Sequence, residues 1–176
     1  ALRETEYPPE KHPQRGNFSF WLYQKDDVPG GRTVPLWNVG TEPEGRFTRR
    51  TDQESGNDAM YFDVDDGYIF AGNALSARIE VTYLDQGNDQ WALYYDSRSE
   101  TNKLAGTVQK TNSNRWRTAI FDLPDAYFGN REAGHTDFRI DCQGDGDETI
   151  HFVNVVRRVV ATATPTPTRT PTPTPA

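Results

Sequence analysis

Four runs of the chain set apolar side chains at every second position, and this alternation limits the fold more than any other feature. In "MYFDV", Met60, Phe62 and Val64 share one face. In "RIEVTY", Ile79, Val81 and Tyr83 alternate with Arg78, Glu80 and Thr82. "QWALYY" aligns Trp91, Leu93 and Tyr95, and "TAIFDL" aligns Ala119, Phe121 and Leu123. A period of two is the signature of half-buried β-strands, because successive side chains on a strand point to opposite faces. The turn clusters "PGG", "DDG", "DQGND" and "GDGD" separate such runs. Their Gly and Asp residues supply the positive φ and side-chain hydrogen bonds of tight turns. No helical period of any length appears; "PDAYFG" at 124–129 suits one short helical turn, with proline first.

Many short strands with polar turns predict an all-β fold, an antiparallel β-sandwich of jelly-roll type. Its predicted core is Phe62, Val81, Trp91, Leu93, Phe121, Phe138 and Phe152. Aromatics make up 12% of the chain while all hydrophobics reach only 34%. The core is therefore built from few, large pieces. "TYLDQGNDQWALYY" reads as a β-hairpin, two alternating runs around a Gly-Asn-Asp turn. "FSFWLY" and "IHFVNVV" are apolar on both faces.

The ends have a different composition. Residues 1–16 hold three prolines and many charges, an extended arm; the sandwich occupies 17–160; and 161–176 is a Thr-Pro tail. Proline at alternate positions excludes helix and interior strand, leaving polyproline II at about 3.1 Å per residue. Threonines beside prolines are a setting for O-glycosylation, here Thr164, Thr166, Thr168, Thr170, Thr172 and Thr174. Such a tail has no apolar groups of its own to order it. Docked on a neighbouring copy, it makes a head-to-tail contact that propagates into a filament.

The formal charge of −7 argues against nucleic acid or an anionic membrane as partner. No apolar run is long enough to insert in a bilayer as a helix. Neutral glycans, bound or attached, and other copies of the chain remain as partners. Cys142 is the only cysteine, which rules out an internal disulfide, and it reads as a buried structural thiol. His12, His135 and His151 lack metal spacing, and no glycines form a nucleophile elbow around Ser97 or Ser99. Asp63 and Asp65 in "DVDDG", with Asp145 and Asp147 in "DGDE", are candidate calcium ligands, since calcium takes six to eight oxygens. Calcium is the one cofactor the residues suggest; the competing reading is acidic turns. Trp37, Tyr94 and Trp116 are candidate glycan platforms, because sugar rings lay their apolar C–H faces on flat aromatics. Tyr94 points away from Trp91 and Tyr95, Trp116 away from Phe121 and Leu123, and Trp37 falls in a loop between Pro35 and Gly40. Each is equally suited to packing.

The stretch "WRTAIFDLPDAYFGNREAGHTDFRI" at 116–140, followed by "ETIHFVNVVR", resembles the galactose-binding-like jelly-roll modules found beside bacterial secreted glycoside hydrolases. The chain is similar in cadence to a carbohydrate-binding module with a Pro-Thr linker. The likeness covers 17–158 as a layout and is sharpest over 116–156; it assigns no binding residue to a position. It implies a non-catalytic, extracellular or cell-surface β-sandwich. Two functions are expected from this. The first is a non-enzymatic structural subunit of a glycosylated extracellular fibre, assembled through the tail. The second is a carbohydrate-binding module of a multidomain polysaccharide-degrading enzyme.

Overall fold

The computed structural model describes residues 22–40, 45–74 and 76–158. Ten strands follow in order: β1 Leu22–Lys25, β2 Val34–Val39, β3 Arg46–Arg50, β4 Ala59–Val64, β5 Ser76–Asp85, β6 Gln90–Tyr95, β7 Lys103–Gln109, β8 Arg115–Leu123, β9 Phe138–Asp141 and β10 Thr149–Arg158. They form two five-stranded sheets, β1-β4-β9-β6-β7 and β2-β3-β10-β5-β8, with every pairing antiparallel. The expected all-β sandwich is therefore the fold.

The core fills the space between the sheets. Met60, Phe62 and Val64 of β4, Trp91, Leu93 and Tyr95 of β6, and Phe138 and Ile140 of β9 come from the first sheet. Ile79, Val81 and Tyr83 of β5, Phe121 and Leu123 of β8, and Ile150, Val153 and Val155 of β10 face them from the second. Phe62 stacks on Phe138 at 4.8 Å between ring centroids, within the first sheet. Trp91 meets Tyr83 at 5.3 Å and Phe121 at 5.7 Å, edge to face, and so joins the two sheets. Burial of each large side chain contributes about 1.5–3 kcal/mol.

Four sequence expectations need correction. The run 81–95 is not a hairpin: β5 pairs with β10 and β8, whereas β6 pairs with β7 and β9. The Gly-Asn-Asp turn instead carries the chain from one sheet to the other. Alternation and turn chemistry are the same for both connections, and only the contact of Tyr83 with Trp91 across the core separates them. Phe152 is 40% exposed rather than buried. Ile150 lies opposite Tyr83 and Phe152 opposite Thr82, so His151 is an inserted bulge residue that reverses the phase of β10. Val153 and Val155 take the inward positions instead. "PDAYFG" forms a turn and an isolated bridge from Ala126 to Ser97, not a helical turn. Trp37 lies in strand β2, not in a loop.

The expected arm 1–16, the Asn17 start of the sandwich, the tail 161–176 with its six threonines, and the fibre assembled through that tail fall outside the described residues. Among the described residues, no helix is long and apolar enough to cross a membrane.

Candidate functional site

With Met60, Phe62 and Val64 turned inward, β4 must present Tyr61 and Asp63 on the opposite, outer face. The same rule puts Tyr23 and Lys25 of β1, Arg139 and Asp141 of β9, and Tyr94 of β6 on that face. The register then aligns one residue from each strand: Lys25 opposite Tyr61, Tyr61 opposite Arg139, Arg139 opposite Tyr94, and Tyr94 opposite Leu104. At strand spacings of about 4.8 Å, this row spans about 19 Å. Leu104 at its end is 50% exposed.

Polar partners fix the row. The Arg139 guanidinium lies 4.4 Å from the Tyr94 ring centroid. It donates to Glu132 Oε2 at 3.0 Å and Asp141 Oδ2 at 3.2 Å, and also to Asn102 Oδ1. Lys25 Nζ sits 2.8 Å from Asp63 and donates to the His135 carbonyl at 2.9 Å. Exposed Asn102 borders the row through its contact with Arg139, and exposed Thr107 lies opposite Ala92, two residues along β6 from Tyr94. Burial pushes the Glu132 carboxyl up to about 7 against the opposing pull of Arg139. Burial also raises the Tyr61 phenol. Lys25 is held by Asp63 and Arg139 by Asp141, so the two cations of the row are balanced, and Tyr94 and Leu104 stand opposite each other at its β6–β7 end.

The three aromatic candidates from the sequence do not form one surface. Tyr94 is on the outer face of the first sheet, as its alternation implied. Trp116 is on the outer face of the second, opposite Leu84, and is covered. Arg46 lies 4.9 Å over its ring, and the His151 ring is 5.6 Å away. Gly40, at φ +114°, closes over the indole; a Cβ there would come within 2.7 Å of Trp116 Nε1. Trp116 thus packs rather than displays its ring. Trp37 is 72% exposed and meets Phe47 edge to face at 4.8 Å, beside a groove of about 240 Å³ that reaches Pro35 and His151.

The four candidate calcium ligands do not converge. Asp63 pairs with Lys25, and Asp65 accepts from the Gly67 amide at 2.8 Å. Asp145 accepts from the Gln90 amide at 3.3 Å. Asp147 accepts from Thr51 Oγ1 at 3.1 Å and the Gln53 amide at 2.9 Å. Among the described residues, no group of three or more His, Cys, Asp or Glu side chains is placed to hold a metal ion. Cys142 is fully buried, and burial pushes its thiol up to about 11.

Sequence reasoning missed Tyr61, Arg139, Leu104 and Lys25. Their outward phase was present in the alternation, but their alignment depends on a register between strands distant in the chain.

No family model matches the chain, and no curated protein matches it. Ten chains of solved structure do match. Three of them are point variants of CBM29-2, from work on ligand recognition by family 29 carbohydrate binding modules. Identity is 13%, 14% and 12%, and TM-scores are 0.38, 0.37 and 0.38. The matches cover 77%, 76% and 82% of this chain and 91%, 89% and 99% of the respective structures.

Proposed function

We propose that this chain is a non-catalytic, extracellular carbohydrate-binding module that lays a neutral glycan across the outer face of the first sheet. The observation that carries the proposal is the row Lys25–Tyr61–Arg139–Tyr94–Leu104, one side chain per strand. Half-exposed Leu104, beside the partly exposed Tyr94 ring whose other side the Arg139 guanidinium occupies, offers an apolar surface to a sugar's C–H face, and the nearby amides and hydroxyls suit its ring hydroxyls. The charge state supports a neutral ligand: Lys25 is already committed to Asp63 and Arg139 to Asp141. The net charge of −7 repels an acidic one. The fibre role gains nothing from this geometry.

Affinity electrophoresis tests the proposal, with gels containing neutral β-glucan, mannan, xylan or starch and a control gel of polygalacturonate. At least one neutral gel retards the chain, polygalacturonate does not, and Tyr94→Ala abolishes the retardation. Migration unaffected by every neutral polymer, or retardation by the acidic polymer alone, overturns the proposal.

A further inference from the structure

Strands β2 and β3 carry the two most exposed large apolar side chains among the described residues: Trp37 is 72% exposed and Phe47 66%. Exposed aromatics that adjoin each other mark an interaction surface, as a single scattered one does not. Their rings meet edge to face, 4.8 Å between centroids and 89° between planes, and so form two walls of a corner. Pro35 and Leu36 extend the apolar lining of the groove beside them, which His151 also lines. Its volume of about 240 Å³ lies below the roughly 300–1,000 Å³ of sites that enclose a small molecule. An open, aromatic-lined groove instead suits an extended chain that lays proline rings against it. Polyproline II segments bind in this way, because their backbone is already extended and loses little freedom.

The polar groups narrow the choice. His151 Nδ1 lies 2.8 Å from the Phe47 carbonyl oxygen, which can only accept. In the neutral imidazole Nδ1 therefore carries the proton, and Nε2 is left as an acceptor. Arg49, which also lines the groove, lies 3.1 Å from the Asp26 carboxylate and brings no unpaired charge. The groove thus fits an apolar ring next to an uncharged hydrogen-bond donor. Threonine-proline alternation supplies both, a ring on one residue and a hydroxyl on the next. This chain holds such a run at 164–175, "TPTPTRTPTPTP", with Arg169 its only charge.

The run is also within reach. The chain leaves β10 at Arg158, about 23 Å along the strand from His151. At about 3.1 Å per residue, 162–176 can span about 40 Å. Tethering sets its effective concentration in the millimolar range, well above that of a second copy in dilute solution.

We propose that the Trp37–Phe47 groove is the docking site of this chain's own Thr-Pro segment, 164–175. Proline rings lie against Trp37 and Phe47, and a threonine hydroxyl donates to His151 Nε2. The contact covers the exposed aromatic surface of β2 and β3 from within the same molecule.

Paramagnetic broadening in the full-length chain tests this. A nitroxide is attached at Thr174→Cys, which it reaches selectively because Cys142 is buried. Amide spectra of the dilute ¹⁵N-labelled chain are compared before and after the nitroxide is reduced. Loss of peak intensity is greatest at Trp37, Phe47 and His151. It disappears when Pro165, Pro167, Pro171 and Pro173 are all replaced by serine, a change that touches no residue of the sandwich. Broadening that is absent at these three positions, or spread evenly over both sheets, overturns the proposal. So does broadening that survives the loss of the prolines. Equal broadening when the nitroxide and the ¹⁵N label are on different molecules assigns the groove to a second copy, and also overturns it.

Discussion

Glu132→Gln gives a stability change whose size and pH dependence both follow from one buried carboxyl. The Glu132 side chain is 3% exposed; Oε2 accepts from Arg139 at 3.0 Å, and Oε1 has no hydrogen-bond partner. Burial raises this carboxyl from 4.5 to about 7; Arg139 opposes the rise and the Asp96 charge adds to it. The folded state thus keeps the proton up to about pH 7, while the unfolded chain gives it up near 4.5. Between these values the folded state binds more protons, so stability falls as pH rises through the window. Above the window the loss is complete, at about 3 kcal/mol, since each pKa unit is worth about 1.4 kcal/mol. Glutamine does not titrate. Relative to Glu132→Gln, the native chain therefore loses about 3 kcal/mol from about pH 4.5 to about pH 7.5. Asp137 and Glu148, which burial raises to about 7 and about 8, remain in both proteins, and the difference isolates Glu132. Urea unfolding followed by tryptophan fluorescence across this pH range measures it. Parallel profiles for the two proteins, or a native chain that gains on the variant as pH rises, would refute the assignment.

Three further outcomes are expected. Trp91→Ala, which empties the contact with Tyr83 and Phe121, costs about 3–5 kcal/mol and lowers the melting temperature by about 10 °C or more in calorimetry. Phe152→Ser, at a side chain 40% exposed on the outer face, costs less than Val153→Ser in the core, and a reversed order in urea titrations would show that the β10 bulge is misplaced. Cys142 stays unalkylated in the native chain and reacts fully after denaturation, as its burial and raised thiol pKa require; rapid native labelling by mass spectrometry would contradict this.

Strand phase was largely legible in the sequence, because a side chain's direction on a strand is set by its own parity. Phe62, Val81, Trp91, Leu93, Phe121 and Phe138 all lie where alternation put them. Phe152 does not, because one inserted residue, His151, inverts every position after it, and the inserted residue leaves no mark in an apolar run such as "IHFVNVV". Sheet membership was not legible. Tyr83 and Trp91 both face the core whether their strands pair or oppose each other across it, so the turn at 86–89 carries no evidence about which. The candidate site shows the same division. Tyr94 was recognisable as outward from its own strand, but Arg139 becomes its neighbour only through the pairing of β6 with β9, some 45 residues on. Trp116 was outward as expected, yet Gly40, Arg46 and His151 from other strands cover it. The loop "GDGDE" was legible as acidic by composition, but nothing near Lys110 in the sequence showed that its ammonium pairs with Glu148 of that loop and with Asp89.

The most direct test of the proposed binding face is a backbone amide correlation spectrum of the ¹⁵N-labelled chain, titrated with a soluble oligosaccharide of the polymer that retards it. The account predicts that shifts concentrate at Tyr61, Tyr94, Leu104 and Arg139, with little change at Thr118, Ile120 and Asn154 on the outer face of the second sheet. Shifts confined to that second sheet, or to Trp37 and Phe47, would contradict it.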